Sequence, residues 1–268
     1  MSATSAFSLT DLHRLMHRRF AHRVLVRVVR ERLTGHVASR VAVLLTVALS
    51  PAVRRARAQS DFGVWTGATV TAKLPRSLND DVGRWRAWMD VQLRLGDDAS
   101  RLSQTILRPG IGYAISSAWT AWAGYAYVRT EPPYASQSTT ENRIWEQASW
   151  SGAMGRTRLG SRTRLEQRFV STGSQTGWRL REQVKATQPL GTNSIWSAVV
   201  FDEYFVTLRS AASGTSAGSD RNRFFVGPGV KLSKAVTMEA GYLNQYIFSS
   251  TGSGKTDHII AVNLTGSL

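Results

Sequence analysis

From residue 61 onward, apolar and polar positions alternate with a period of two, the pattern of strands with one apolar and one polar face. Residues 83–95 are the clearest stretch. Trp85, Ala87, Met89, Val91, Leu93 and Leu95 form an unbroken apolar row. The interleaved row is Arg84, Arg86, Trp88, Asp90, Gln92 and Arg94, polar at every position except Trp88. Further along, Arg158, Arg162, Arg164, Glu166 and Arg168 share one face, and Leu159, Leu165 and Phe169 share the other. Arg179, Arg181, Gln183 and Lys185 line one side of the next segment, and later Arg221, Arg223 and Lys231 stand opposite Phe224, Val226 and Val230.

Eleven such segments are expected, beginning near Phe62, Arg84, Gln104, Trp119, Asn142, Arg158, Gly177, Ser194, Arg221, Thr237 and His258. Each is roughly 10–14 residues long, beyond the ~5–6 of an ordinary soluble strand and enough for the ~9–11 of a membrane-crossing strand. No segment carries a helical stripe. Residues 109–128 lack charge and pass a crude length test for a membrane helix. Pro109, Gly110, Gly112, Gly124 and the central Ser116-Ser117 predict two strands and a turn there instead. Short connections are expected near Ser116-Ser117, Gly155, residues 190–192 and residues 233–235. Long polar ones are expected at residues 131–141, 171–175, 210–220 and 249–257. Short turns on one side and long loops on the other fit an outer-membrane-type barrel.

The expected fold is therefore all-β, a single antiparallel transmembrane β-barrel of 10–12 strands. Bacterial single-chain barrels use even numbers, so the count of eleven is expected to be off by one, with residues 62–74 and the gap at 75–81 as the place of error. Trp65, Trp85, Trp119, Trp122, Trp145, Trp178 and Trp196 would supply interfacial aromatic girdles. The rival reading is an ordinary β core, which alternates identically. A soluble barrel buries its apolar face and a membrane barrel its charged one. At the C-terminus Ile260, Val262, Leu264 and Leu268 alternate, although the last residue is Leu rather than the aromatic that marks such barrels for insertion.

Composition divides the chain in two. Residues 1–58 hold eleven Arg, no Lys, one Asp and one Glu, whereas all nine Trp lie beyond them. Within them, residues 41–53 (VAVLLTVALSPAV) form an uncharged run too short to span a bilayer, and Ala56-Arg57-Ala58 follows as an A-x-A cleavage site. Basic, apolar and small-residue parts in that order predict an export segment over 1–58, cleaved after Ala58, with the barrel at 59–268. The long basic region fits a start codon at Met16; Arg18-Arg19 also resembles a twin-arginine signal, and the Arg-rich, acid-poor composition a mitochondrial transit peptide. The net charge of +16 invites a nucleic-acid reading. More than half of it belongs to residues 1–58, so no nucleic-acid partner is expected. The absence of Cys excludes a disulfide framework, a thiolate metal site and a cysteine nucleophile.

Several stretches resemble the bacterial outer-membrane family DUF2490, whose function is not established. They are RPGIGY (108–113), GYAYVRTEPP (124–133), ENRIWEQ (141–147), RLEQRF (164–169), DRNRFFVGPGVKLS (220–233) and GYLNQYI (241–247). The resemblance spans about residues 61–268 and implies an outer-membrane barrel of a Gram-negative bacterium, with outer-membrane lipids and the barrel-insertion machinery as partners. It implies no activity.

Alternation predicts a lumen lined by Arg84, Arg86, Arg94, Arg162, Arg164, Arg168, Arg179, Arg181, Lys185, Arg221 and Arg223, with Asp90, Glu141, Glu166 and Glu203 as counter-charges. Guanidinium rows attract anions and grip carboxylate or phosphate bidentately. This points to a narrow channel preferring small anionic solutes. The alternative is a barrel closed by Arg–carboxylate pairs, with a structural role in the envelope. No metal or cofactor is expected, and a lipid-modifying barrel enzyme is the weakest reading. Beyond residue 58 His258 is the one histidine, its same-face neighbours are Thr256 and Ile260, and no Ser shares its strand face at close spacing, so no enzyme is expected.

Overall fold

The computed structural model describes residues 60–74, 83–211, 217–249 and 252–268. The expected export segment and the whole of the 75–81 gap lie outside the described residues.

Eleven strands form one closed sheet in simple neighbour order. They are β1 (Ser60–Lys73), β2 (Trp85–Gly96), β3 (Arg101–Ala114), β4 (Trp119–Thr130), β5 (Thr139–Met154) and β6 (Thr157–Val170). Then follow β7 (Gly177–Pro189), β8 (Trp196–Arg209), β9 (Gly218–Lys231), β10 (Val236–Ile247) and β11 (Lys255–Ser267). The expectation of an even number is overturned. Each consecutive pair is antiparallel, so an odd count leaves β1 and β11 running the same way. They close the barrel as a parallel pair, in register from Ser60↔Thr256 to Thr71↔Ser267. A parallel ladder satisfies the two free edges as an antiparallel one would.

The uncharged stretch at 109–128 is the β3–β4 hairpin, as Pro and Gly dictate; among the described residues no helix is long and apolar enough to cross a membrane. Connections at one rim, 131–138, 171–176, 210–217 and 248–254, are longer than most at the other, 115–118, 155–156, 190–195 and 232–235. Two depart from the expected alternation: the β2–β3 turn at 97–100 is tight on the long-loop rim, and the 74–84 connection is long on the tight-turn rim. Gly155, at φ +60°, opens the two-residue β5–β6 hairpin at a position that favours glycine. Bulges at Arg94/Leu95, Trp178/Arg179 and Phe205/Val206 gather toward the long-loop rim, where they sharpen strand twist.

The faces are sorted opposite to a water-soluble barrel. Outside are the apolar rows: Met89, Val91, Leu93, Leu107, Ile111, Ile144, Val226, Ile260 and Leu264 are all exposed. Inside, Asp90, Arg108, Arg143, Arg164, Glu166, Arg179, Arg181, Glu203 and Arg223 are buried, together with the aromatic or apolar Trp65, Ile106, Trp145, Phe205, Phe225 and Ile259. The tryptophans expected to form girdles divide between the two faces of the barrel. Trp85, Trp119 and Trp196 face outward at strand starts on the tight-turn rim. Trp65 and Trp145 are buried in the lumen, and Trp122 packs edge-on against the inward Trp88. Their strand parity, not their distance from a strand end, decides this.

Inward glycines make room for these rings. A Cβ on Gly110 would lie 2.6 Å from the Trp145 ring, and one on Gly112 or Gly124 would run into Trp122 or Trp145. The glycines of the 108–113 and 124–133 stretches are thus seats for large side chains inside a barrel of limited diameter.

Candidate functional site

Among the described residues the lumen holds two cavities, of about 310 and 420 Å³, that meet at a waist of side chains. Trp65, Arg94, Arg108, Arg181 and Arg223 line both. The cavity toward the long-loop rim carries nine cationic side chains against two carboxylates, Glu141 and Asp257. The cavity toward the tight-turn rim has six against three, Asp90, Glu203 and Glu239. Both are net positive in formal charge.

Ion pairs organise the waist. Glu166 on β6 has a side chain 1% exposed and takes Arg179 Nη2 at 2.6 Å and Arg181 Nη1 at 2.7 Å on its two oxygens. Arg181 reaches on to Glu203 on β8 at 2.7 Å. Glu203 also holds Arg162 Nη2 at 2.5 Å, and Arg223 Nη1 stands 3.7 Å away. Residues two apart on one strand, and their cross-strand partners, share the inner face, so alternate Arg and Glu interlock without any irregular backbone. Toward the long loops, Glu141 accepts from Arg143 Nε at 2.8 Å and Arg168 Nε at 2.5 Å. Arg221 and Arg179 both contact Asp220. Toward the tight turns, Lys185 donates to Glu239 at 2.6 Å, and Asp90 takes Arg108 at 2.5 Å.

Some guanidiniums have no close carboxylate. Arg164 is fully buried, donates to Gln147 Oε1 at 2.6 and 2.8 Å, and lies 4.6 Å from the Trp145 ring centre. Its nearest carboxylate oxygen, on Glu166, is 4.0 Å away. Arg94 donates to Gln92 and Gln104, and Arg94 and Arg223 both stand over Trp65. Cation–π contact favours the charged form of a guanidinium without cancelling its charge.

A loop covers the larger cavity. In the 131–138 connection, Tyr134 turns inward; its hydroxyl accepts from Trp65 Nε1 at 2.9 Å and donates to the Leu95 carbonyl at 3.2 Å. Burial pushes the Tyr134 hydroxyl above its ordinary range, so it remains a protonated donor at neutral pH.

Of the side chains expected in the lumen, Arg94, Arg162, Arg164, Arg168, Arg179, Arg181, Lys185, Arg221 and Arg223 are brought together there, with Asp90, Glu141, Glu166 and Glu203 among them. Arg84 and Arg86 are not. Arg84 bonds the carbonyls of Ala114 and Ile115 and stacks on the Tyr113 ring. Arg86 bonds the Gly83 and Trp85 carbonyls. Both lie where β2 starts at the rim, and backbone carbonyls there hold them. Sequence reading missed Arg108, Arg143, Asp220, Glu239 and Asp257. Arg143 was open to the same rule, because Glu141, Arg143, Trp145 and Gln147 alternate inward on β5. Arg108 gave a weaker signal: the neighbouring Pro and Gly dilute the alternation. His258 faces outward, its Nδ1 2.7 Å from the Tyr242 hydroxyl. Among the described residues no group of His, Asp and Glu has the makings of a metal site.

Comparison with known proteins gives two matches. The family model described as protein of unknown function (DUF2490) matches residues 62–256. An uncharacterized protein of Methylorubrum extorquens is 35% identical over 211 residues, covering 74% of this chain and 91% of the relative. No solved structure matches.

Proposed function

We propose, from the premise that the chain belongs to the DUF2490 family of unknown function, that it is an outer-membrane barrel whose cation-rich lumen admits small anions through a narrow waist. One observation carries the membrane part: the charged faces of the strands are inside and the apolar faces outside. In water, so extensive an apolar exterior would be covered by a partner or drive aggregation. In a bilayer it is the lipid-facing band of a barrel, with aromatics at its borders. Trp85, Trp119 and Trp196 stand at one border, and Phe62, Phe169, Tyr204 and Phe248 toward the other.

Polar groups interrupt the band on β5 to β9. Glu182 accepts from Ser161 and Thr163, and Asp202 accepts from Asn222 at 3.0 Å, so both carboxylates are hydrogen-bonded on the surface. Glu146 is exposed and makes no such bond among the described residues. The paired groups reduce the desolvation cost that lipid imposes on a carboxylate.

The anion preference rests on the excess of guanidinium over carboxylate around both cavities. A second reading has its own support: with Arg164, Glu166 and Phe205 almost fully buried, the waist is packed, which favours a closed barrel with a structural role in the envelope. Two experiments test the proposal. The protein should fractionate with the outer membrane and resist carbonate or urea extraction; release as a soluble protein overturns the membrane reading. In a planar bilayer under a salt gradient, an anion-selective reversal potential supports passage. Heat-modifiable insertion without conductance supports the closed barrel.

A further inference from the structure

The waist holds one feature that ion pairing leaves unfinished. Arg94 on β2 and Arg223 on β9 both stand over the indole of Trp65 on β1, their guanidinium carbons 3.9 and 4.9 Å from the ring centre. Both are buried. Their hydrogen bonds end on neutral amides: Arg94 Nη1 on Gln104 at 2.9 Å, Arg94 Nη2 on Gln92 at 2.6 Å, and Arg223 Nε on Gln245 at 2.8 Å. The nearest carboxylate oxygen to Arg223 is Glu203 Oε2, 3.7 Å away, while the other oxygen of that carboxylate, Oε1, holds Arg181 and Arg162. Arg94 forms no ion pair among the described residues. Arg94 Nε and the Nε of neighbouring Arg108 are buried without an acceptor. Two like charges thus contact one indole, with the Nε–H of Arg94 and of Arg108 unspent, where the two cavities meet.

We propose that this waist is an oxyanion-binding site, in which Arg94 and Arg223 clamp a carboxylate or phosphate group beside Trp65. It rests on the reading that the lumen admits anions. The glutamine amides orient the guanidinium planes and satisfy some donors while adding no negative charge. An entering oxyanion supplies the charge, and the planar forks match its geometry better than that of a spherical halide. Cavities of this size fall in the ~300–1,000 Å³ range of small-molecule sites. The ring stays as a wall that favours the cationic state of both arginines.

The test is isothermal titration of the protein refolded in detergent with inorganic phosphate and, separately, acetate, at low chloride. Saturable binding with one site per barrel is expected, weakened at least tenfold in Arg94→Gln and in Arg223→Gln and unchanged in Arg156→Gln on the β5–β6 hairpin. Because loss of a buried arginine can also disturb folding, Gln92→Glu serves as the second variant. It gives Arg94 an internal counter-charge of the same shape and should abolish phosphate binding while the barrel stays heat-modifiable. The inference is overturned if wild type shows no saturable binding, or if Gln92→Glu binds phosphate as wild type does. Conductance of the same proteins separates the two ideas. Phosphate binding without conductance keeps the site and removes the passage. Anion-selective conductance that phosphate does not block keeps the passage and removes the site.

Discussion

Arg181 on β7 joins two carboxylates at once, 2.7 Å from Glu166 on β6 and 2.7 Å from Glu203 on β8, and so ties three neighbouring strands through the lumen. Removing one side of a buried pair leaves the other charge uncompensated and costs about 3–5 kcal/mol. Glu166 also serves Arg179, so Glu166→Gln takes one counter-charge from each of two buried arginines while keeping the side-chain shape. It should destabilise by that amount, read as a lower urea midpoint for loss of heat-modifiable mobility. A midpoint equal to wild type would mean the network adds nothing to stability.

Gly110 seats Trp145, and a methyl group there would lie 2.6 Å from the ring. Gly110→Ala overpacks the lumen and should cost about 1–3 kcal/mol. The double variant with Trp145→Leu removes the clash, and equilibrium unfolding should show it less unstable than the sum of the two single changes. Plain additivity would contradict the seat.

Glu146 faces outward in the middle of β5, between Ala123 and Leu165 on its neighbours. If that surface meets lipid, Glu146→Leu relieves a carboxylate from hydrocarbon. It should stabilise the barrel in bilayers by about 1–2 kcal/mol, less than the ~2–4 kcal/mol known for basic residues at the midplane. Unfolding measured in vesicles decides it; destabilisation would indicate that another protein, not lipid, covers this face.

Lys185 and Glu239 form one of the ion pairs of the tight-turn cavity, N–O 2.6 Å. If ions pass, Glu239→Gln should shift the reversal potential toward anions and Lys185→Gln toward cations. Equal shifts in one direction from both would argue that the pair does not face the ion path.

Tyr134 pins the 131–138 loop over the larger cavity through Trp65 and the Leu95 carbonyl. Tyr134→Phe removes both bonds and should raise conductance by freeing the loop, at a cost in stability of about 1–3 kcal/mol for two partly buried hydrogen bonds. Unchanged conductance together with unchanged protease sensitivity of the loop would show that it does not gate the mouth.

Much of this was legible in the chain. The period of two put Arg94, Arg162, Arg164, Arg168, Arg179, Arg181, Lys185, Arg221 and Arg223 on one face, because successive Cβ atoms in a strand point to opposite sides. The same rule located eleven strands, and it separated the β3–β4 hairpin from a helix through Pro109 and the nearby glycines. Periodicity, however, is blind to which face turns inward: a soluble and a membrane barrel write the same alternation. Only closure of the sheet, with β1 laid parallel to β11, fixed the charged face inside and allowed an odd count. Pairing is equally invisible, since Arg94 and Arg223, 129 positions apart in the chain, reach Trp65 only because closure brings β2 and β9 across one lumen. Local alternation sets the faces; long-range curvature decides what each face meets.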